Sequence, residues 1–249
     1  MTTHTGYASA SFDTYASNTA LYADTALAEG TDWARRFRRH AAADDPATDA
    51  AARPGDTVVV APHAGGIEAG TSELCLAVAG YHPADLAPAP PGGPVYDFWM
   101  FEGLRVTGNG ALHVTSTRCD DPVARAMAAG SLRVLSLHGC TSGQAGLPED
   151  AQAVLVGGAD TAFAGQLAAA LTDAGLHALD ASGIKELAGL SPANICNGTR
   201  RGRGAQLEIT APLRTAMFGT HTRAGRGSTT MPVFWKLVSA ARAAIAAAS

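Results

Sequence analysis

The strongest constraint on this chain is a set of short, unbroken apolar runs separated by longer stretches with helical character. Thr57-Val58-Val59-Val60-Ala61 is β-branched and apolar throughout, and is bounded by Gly55 and Pro62. A strand that shows no alternation of apolar and polar residues has both faces buried, as in a parallel sheet covered on each side. The same reading gives strands at Val95–Phe101, Leu112–Ser116, Leu132–Leu137, Ala153–Val156 and Ala205–Thr210. Helices are expected between them. One is capped by Thr71 or Ser72 and runs to about Gly80, and one is opened by Asp121-Pro122. A third runs from Asp160 to Leu171 with Gly175 as its stop, and an Ala-rich helix covers Met231–Ala248 with Phe234, Leu237, Val238, Ala241 and Ile245 on one stripe. Strands alternating with helices predict an α/β fold, a mixed and mostly parallel sheet flanked by helices on both faces.

Residues 1–53 read as an N-terminal helical segment and linker of the same domain, with residues 54–249 forming its main body. Asp13, Tyr15, Leu21 and Leu27 suit an amphipathic first helix. The Ala/Asp-rich stretch around Pro46, from Ala41 to Ala52, reads as a linker or exposed insertion.

In parallel sheets the working groups gather at the carboxyl ends of the strands. His63 follows the first strand and His138 follows Leu132–Leu137, while Gly157-Gly158 ends another. After His63, Gly65-Gly66 lets the chain fold back so that Glu68 approaches the imidazole. A histidine leaving a buried strand needs a partner, because an unsatisfied polar ring is costly to bury. Two such histidines and one carboxylate are a His₂Glu ligand set for zinc. Glu73, five residues beyond Glu68, is an alternative carboxylate.

Glu208 interrupts the strand-like run Ala205–Thr210. It is either an outward residue of an edge strand or a general base, since a metallohydrolase needs a carboxylate to move the proton between water and leaving amine. Just before it, Asn194–Gly204 carries Arg200, Arg201 and Arg203 among glycines and asparagines. As a bare charge run this is a solvated loop, but beside a catalytic Glu it reads as a receptor for substrate carboxylates, with Arg118 as a further candidate. Arg118 and Asp120 can also simply pair with each other, and His113, between Leu112 and Val114, reads as a structural residue on a sheet face. None of Cys75, Cys119, Cys140 and Cys196 forms a C-x-x-C pair, so each is expected as a small buried hydrophobe.

The strings APHAGGIEAGTSE, YDFWMFEG, LHVTSTRCDDP, LSLHGC, VGG and NICNGTRRGRGAQLEI follow one another in this order. Together they resemble the phage-type poly-γ-glutamate hydrolases, zinc enzymes that depolymerise γ-linked polyglutamate. The resemblance runs from about Asp56 to Thr210 and includes the final helix. It implies a zinc-carboxypeptidase-like α/β sheet with one catalytic zinc ion, His63, Glu68 and His138 in the metal-binding places, and Glu208 as the catalytic carboxylate. The implied activity is zinc-dependent cleavage of γ-glutamyl amide bonds. The same metal site would serve a related amidase or carboxypeptidase acting on N-acyl amino acids or peptides. A binding protein for anions or nucleic acid, using the Arg200–Arg203 loop, is the rival of another class. Against it stands a net charge of −4, with no wider basic stripe. Neither a nucleic-acid nor a membrane partner is expected. No run reaches the ~20 apolar residues of a membrane span, and the start of the chain lacks the basic and apolar regions of a secretory signal. Cytoplasmic synthesis, with release on lysis, is the expectation.

Overall fold

The computed structural model describes residues 13–40 and 56–248. The expected linker, Ala41 to Ala52, lies outside the described residues. Among the described residues seven strands form one mixed sheet: β1 (Trp33–Arg38), β2 (Thr57–Gly65), β3 (Asp97–Gly103), β4 (Arg133–Cys140), β5 (Val154–Gly157), β6 (Ala178–Asp180) and β7 (Ala205–Thr210), in the order β1-β3-β2-β4-β7-β5-β6. The central four, β3, β2, β4 and β7, run parallel. β1 is antiparallel to β3, and β5 is antiparallel to β7 with β6 parallel to it. The helices are α1 (Asn18–Tyr22), α2 (Thr71–Ala79), α3 (Pro122–Gly130), α4 (Thr161–Asp173), α5 (Ala211–Ala216), α6 (Arg223–Arg226) and α7 (Pro232–Ala247). The expected α/β class is the one found.

Alternate residues of β2 feed the two sides of the sheet. Val59 and Ala61 join Leu74, Leu167, Leu207 and Phe234 under α2, α4 and α7, whereas Val58 and Val60 join Trp99, Phe101, Met127 and Ile195 under α3. Every residue of β2 is buried, which is why its sequence shows no alternation. The α7 stripe Phe234, Leu237, Val238, Ala241 and Ile245 is wholly buried. All four cysteines are free and buried. Among the described residues no helix is long and apolar enough to cross a membrane.

Several elements differ from the sequence reading. β1 lies where a helical or loose segment is expected; its three arginines, Arg35, Arg36 and Arg38, hide the strand pattern but suit an edge, where charge discourages pairing with other chains. Its Trp33 and the Leu21 of α1 complete the core on the α3 side. The expected first amphipathic helix shrinks to the five residues of α1, capped by Ser17. Leu112–Ser116 is not a strand. It is an extended link between 3₁₀ turns at Asn109–Leu112 and Ser116–Arg118, and the Thr115 N–H donates to the Asp13 carboxylate rather than to a neighbouring strand.

β2 continues through Pro62, where the sequence predicts its end. Proline cannot donate to a ladder, and the irregularity falls there: β2 pairs with β4 only up to Val60, and its register with β3 shifts between Ala61 and Ala64. Such bulges re-aim side chains, and this one carries His63. β4 likewise runs on to Cys140, so His138 sits inside the strand rather than beyond it. Because β5 runs against β7, Gly157 pairs with Gln206 and Gly158 packs against Gly204. The Gly157-Gly158 turn therefore lies at the entry to β7, away from the carboxyl ends of the central strands.

Candidate metal centre

The turn after His63 is built for glycine. Gly65 has φ +70°, and a Cβ there would lie 2.4 Å from the Gly103 carbonyl oxygen. The chain can therefore double back, with the Glu68 N–H donating to the His63 carbonyl at 2.8 Å. Thr71 Oγ1 donates to the Glu68 carbonyl, and Ser72 Oγ accepts from the Gly65 N–H. Neither caps α2 as expected; both fasten the turn, and Gly70 caps the helix with φ +104°.

His63 Nδ1 then lies 2.9 Å from Glu68 Oε1 and 3.2 Å from His138 Nδ1, with Glu68 Oε2 3.8 Å from His138 Nδ1. The three residues can each offer one ligand atom within 4.8 Å of the others. The outer sides of both rings are occupied. His63 Nε2 faces the Val114 carbonyl at 2.8 Å, and His138 Nε2 faces Ser136 Oγ at 2.8 Å. A carbonyl only accepts, so His63 Nε2 carries a hydrogen, and the neutral ring turns the lone pair of Nδ1 toward a carboxylate. Acceptors facing one point repel unless a positive charge sits among them. A proton on His63, an Nδ1–H on His138 or a metal cation meets that need, and a ligating histidine whose other N–H donates to a carbonyl is the usual outer arrangement of metal sites. The residues therefore fit a cation.

The electrostatics agree. Burial opposes charge on Glu68, but His63, His138 and the Gly139 N–H, which donates to Oε2 at 2.8 Å, override it and hold the carboxyl at about 2. Burial likewise opposes a charged His63, yet the adjacent Glu68 carboxylate raises its basicity. His138 is pushed down to about 3 by burial and by the neighbouring His63. Glu73 is not part of the group. It sits on α2 and pairs with the buried Arg226 at 3.0 Å, which selects Glu68 as the carboxylate of the cluster.

Glu208 is the in-register neighbour of His138 across parallel strands, so both side chains project from the same face. Residues of a parallel strand interior to the sheet have no exposed edge, which rules out the solvated reading of Glu208. It is buried, accepts from Gln206 Nε2 at 3.0 Å, and lines one cavity of about 360 Å³ with His63, Glu68 and His138. Burial first, and the Glu68 charge second, raise its pKa well above the carboxylate range, with Arg214 opposing.

Two groups near the cluster were misread or missed in the sequence. His113 packs against His63 with ring centroids 3.9 Å apart and the rings tilted by 32°, and its Nδ1 lies 2.7 Å from Asp13 Oδ1. It walls the cavity rather than resting on a sheet face. Arg214 lies behind the site. Its Nε donates to the Ile209 carbonyl at 3.1 Å and its Nη1 to the Ala69 carbonyl at 2.9 Å, and a Cβ on Gly139 would meet its guanidinium at 2.5 Å. It clips the turn bearing Glu68 onto the ends of β4 and β7. The one legible signal is Gly139 itself, directly after His138: only a residue without a side chain admits a cation so close.

The arginines expected to receive substrate do not lie in this cavity. Arg200 N donates to the Ser131 carbonyl, and Arg203 Nε is 3.6 Å from Asp160. This places their loop at the amino ends of β4 and β7. Nearness in sequence to Glu208 misleads here, because five residues of extended chain separate Arg203 from it by about 17 Å. Arg118 ends the 3₁₀ turn Ser116–Arg118 and lines a neighbouring cavity. It does not pair with Asp120, whose Oδ1 accepts from the Thr19 N–H at 2.8 Å. Among the described residues the only lysine or arginine on the wall of the metal cavity is Lys185, in the loop after β6, beside Glu186.

The chain is similar to several known proteins. The chain is 37% identical to the SPbeta prophage-derived protein YoqZ of Bacillus subtilis (strain 168) over 73% of its own length and 59% of the relative's. It is 34% identical to YndL of the same organism over 72% of its length and 63% of that protein's. It thus spans about three-fifths of these curated relatives. Among solved structures it superposes on a bacteriophage poly-gamma-glutamate hydrolase with a TM-score of 0.76 and 29% identity, covering 95% of this chain and 98% of the other. A zinc-free apo form of YndL superposes with a TM-score of 0.75 and 27% identity, covering 95% and 99%. Residues 36–240, which include the whole His63–Glu68–His138 cluster and Glu208, match the family described as poly-gamma-glutamate hydrolase, and the chain belongs to that family.

Proposed function

We propose that the chain is a zinc-dependent hydrolase of γ-glutamyl amide bonds whose substrate is poly-γ-glutamate. His63, Glu68 and His138 are its metal ligands and Glu208 is its acid–base group. The carrying observation is that one potential ligand atom from each of His63, Glu68 and His138 converges on one point and that Glu208, a buried carboxyl group raised well above its ordinary pKa, opens onto the same cavity. Three protein ligands of the His₂Glu kind leave one position open, as catalytic zinc sites do. When bound, zinc supplies Lewis acidity, polarising a carbonyl and making water nucleophilic at neutral pH.

The remaining work falls to the chain's own groups. Glu208 is held against Gln206 on the cavity wall and is made basic by burial, so it suits taking a proton from the attacking water and returning it to the departing amine. Water adds across the C–N bond, leaving a γ-carboxylate and a free α-amine. Lys185 is placed to meet an α-carboxylate next to the cleaved bond. Arg118 lines the neighbouring cavity, while Arg203 is tied to Asp160.

The test is metal analysis joined to activity. Protein purified without chelator should carry near one equivalent of zinc and depolymerise poly-γ-glutamate. His63→Ala and His138→Ala should lose metal and activity together, whereas Glu208→Gln should keep the metal and lose activity. A Glu208→Gln variant with wild-type turnover removes Glu208 from the mechanism. Hydrolysis of neutral N-acyl amino acids in preference to the polyanion favours the related amidase.

A further inference from the structure

The metal cavity does not end at the metal cluster. Thr117 and Asn194 line both it and a second cavity of about 480 Å³, bounded by the Ser116–Arg118 turn, α3 and the segment 192–198. Two cations, Arg118 and Arg125, stand on the walls of this second space. Both are exposed, and neither has an acidic side-chain partner among the described residues. One carboxylate, Asp120, lines the same cavity, where its Oδ1 accepts from the Thr19 N–H. At the far wall lies Gly198, two residues before Arg200, whose N–H is bonded to Ser131 at the end of α3. Lys185 thus stands on the wall of the first cavity, and Arg118 and Arg125 on the wall of the second.

We propose that the second cavity is a carboxylate-binding subsite, in which Arg118 and Arg125 hold an α-carboxylate of poly-γ-glutamate one or more residues from the cleaved bond. This inference rests on the proposed substrate. A γ-linked polymer carries a free α-carboxylate on every residue, so any bound segment longer than the metal cavity brings a further anion across Thr117 and Asn194. Guanidinium groups present paired donors that match a carboxylate, and neither of the two here is ion-paired with Asp120. The arrangement makes the enzyme a reader of polymer length: a short substrate meets Lys185 alone, while a long one also engages the arginine pair. Solvent-facing charges of this kind act mainly on binding and weaken with salt.

The test compares metal-loaded wild type with Arg118→Gln, Arg125→Gln and the double variant, on long poly-γ-glutamate and on a γ-glutamyl dipeptide at low ionic strength. The double variant should lose roughly ten-fold in kcat/KM on the polymer, almost all through KM. Its dipeptide kinetics should stay within about two-fold of wild type. Lys236→Gln, an equal loss of one charge on α7, should leave both substrates unaffected. If polymer and dipeptide fall together, or neither falls, the subsite is refuted. If wild type hydrolyses neither substrate, the proposed function fails, and equilibrium binding of the polymer to chelated protein decides the subsite independently. Binding lost in the double variant supports it, and equal binding overturns it. An oligonucleotide that binds as tightly as the polymer, with the same dependence on both arginines, also overturns it, because the surface would then be a general polyanion site.

Discussion

Arg214→Met tests whether the cation behind the site, and not only the residues facing the cavity, sets the geometry and the charge of the site. Two hydrogen bonds from the guanidinium, to Ala69 and Ile209, would be lost. Hydrogen bonds from a charged donor are worth about 1.5–3 kcal/mol each, and removing the half-buried charge returns part of that through relieved desolvation. A net loss of roughly 2–4 kcal/mol follows, which in a domain of this size lowers Tm by about 5–15 °C. The second effect is electrostatic. Arg214 works against the upward push on Glu208, so without it Glu208 becomes still more basic. As general base Glu208 must be ionised, and the acid limb of the kcat profile should therefore move to higher pH. Arg214→Lys should restore that limb but not Tm, because one ammonium group cannot bridge two carbonyls in the guanidinium's geometry. Thermal unfolding and pH–rate profiles on the three proteins are the assay. An Arg214→Met protein with Tm within about 2 °C of wild type and an unmoved acid limb would refute the clip.

The two neighbouring glutamates should separate cleanly. Glu68→Ala is expected to abolish zinc binding in a titration. Glu73→Ala should bind one equivalent but lose about 3–5 kcal/mol in chemical denaturation, since it strands the buried Arg226; equal zinc affinity in both variants would reject Glu68 as a ligand. For chelated protein the pH dependence follows from Glu68, whose folded pKa of about 2 lies below its ordinary 4.5. Depression in the folded state means the contribution is complete above the unfolded value and vanishes as pH falls through the folded one. The stability advantage of wild type over Glu68→Gln should therefore be present at pH 5 and shrink toward pH 2, and an advantage that grows on acidification would contradict the sign.

His63, Glu68, His138 and Glu208 are legible in the one-dimensional pattern because each breaks a local rule. The histidines interrupt buried apolar runs, Gly65-Gly66 permits the fold-back of Glu68, and Glu208 stands where a core strand wants a hydrophobe. The resemblance of the ordered strings to a known family joins these local breaks into one site. Lys185 and His113 carry no such mark, and Arg214 leaves only the bare Gly139 it packs against. Each becomes a neighbour of the site only through a loop return or a packing contact across the sheet, and no spacing rule encodes that.

Strand direction is the clearest division between the two levels. Apolar runs and glycine breaks determine that this chain builds a buried, largely parallel sheet with helices on both faces, because both faces of each central strand must leave water. They do not determine which way β5 runs. Its reversal against β7 carries Gly157-Gly158 away from the carboxyl ends of the central strands. The parallel course of β4 and β7 carries Arg200, Arg201 and Arg203 to the end opposite the metal cluster. Burial can be read from residue type one segment at a time, whereas direction and neighbourhood depend on pairing between segments far apart in the chain. The candidate metal ligands were therefore legible in the sequence, and the placement of the cations that surround them was decided only by the tertiary structure.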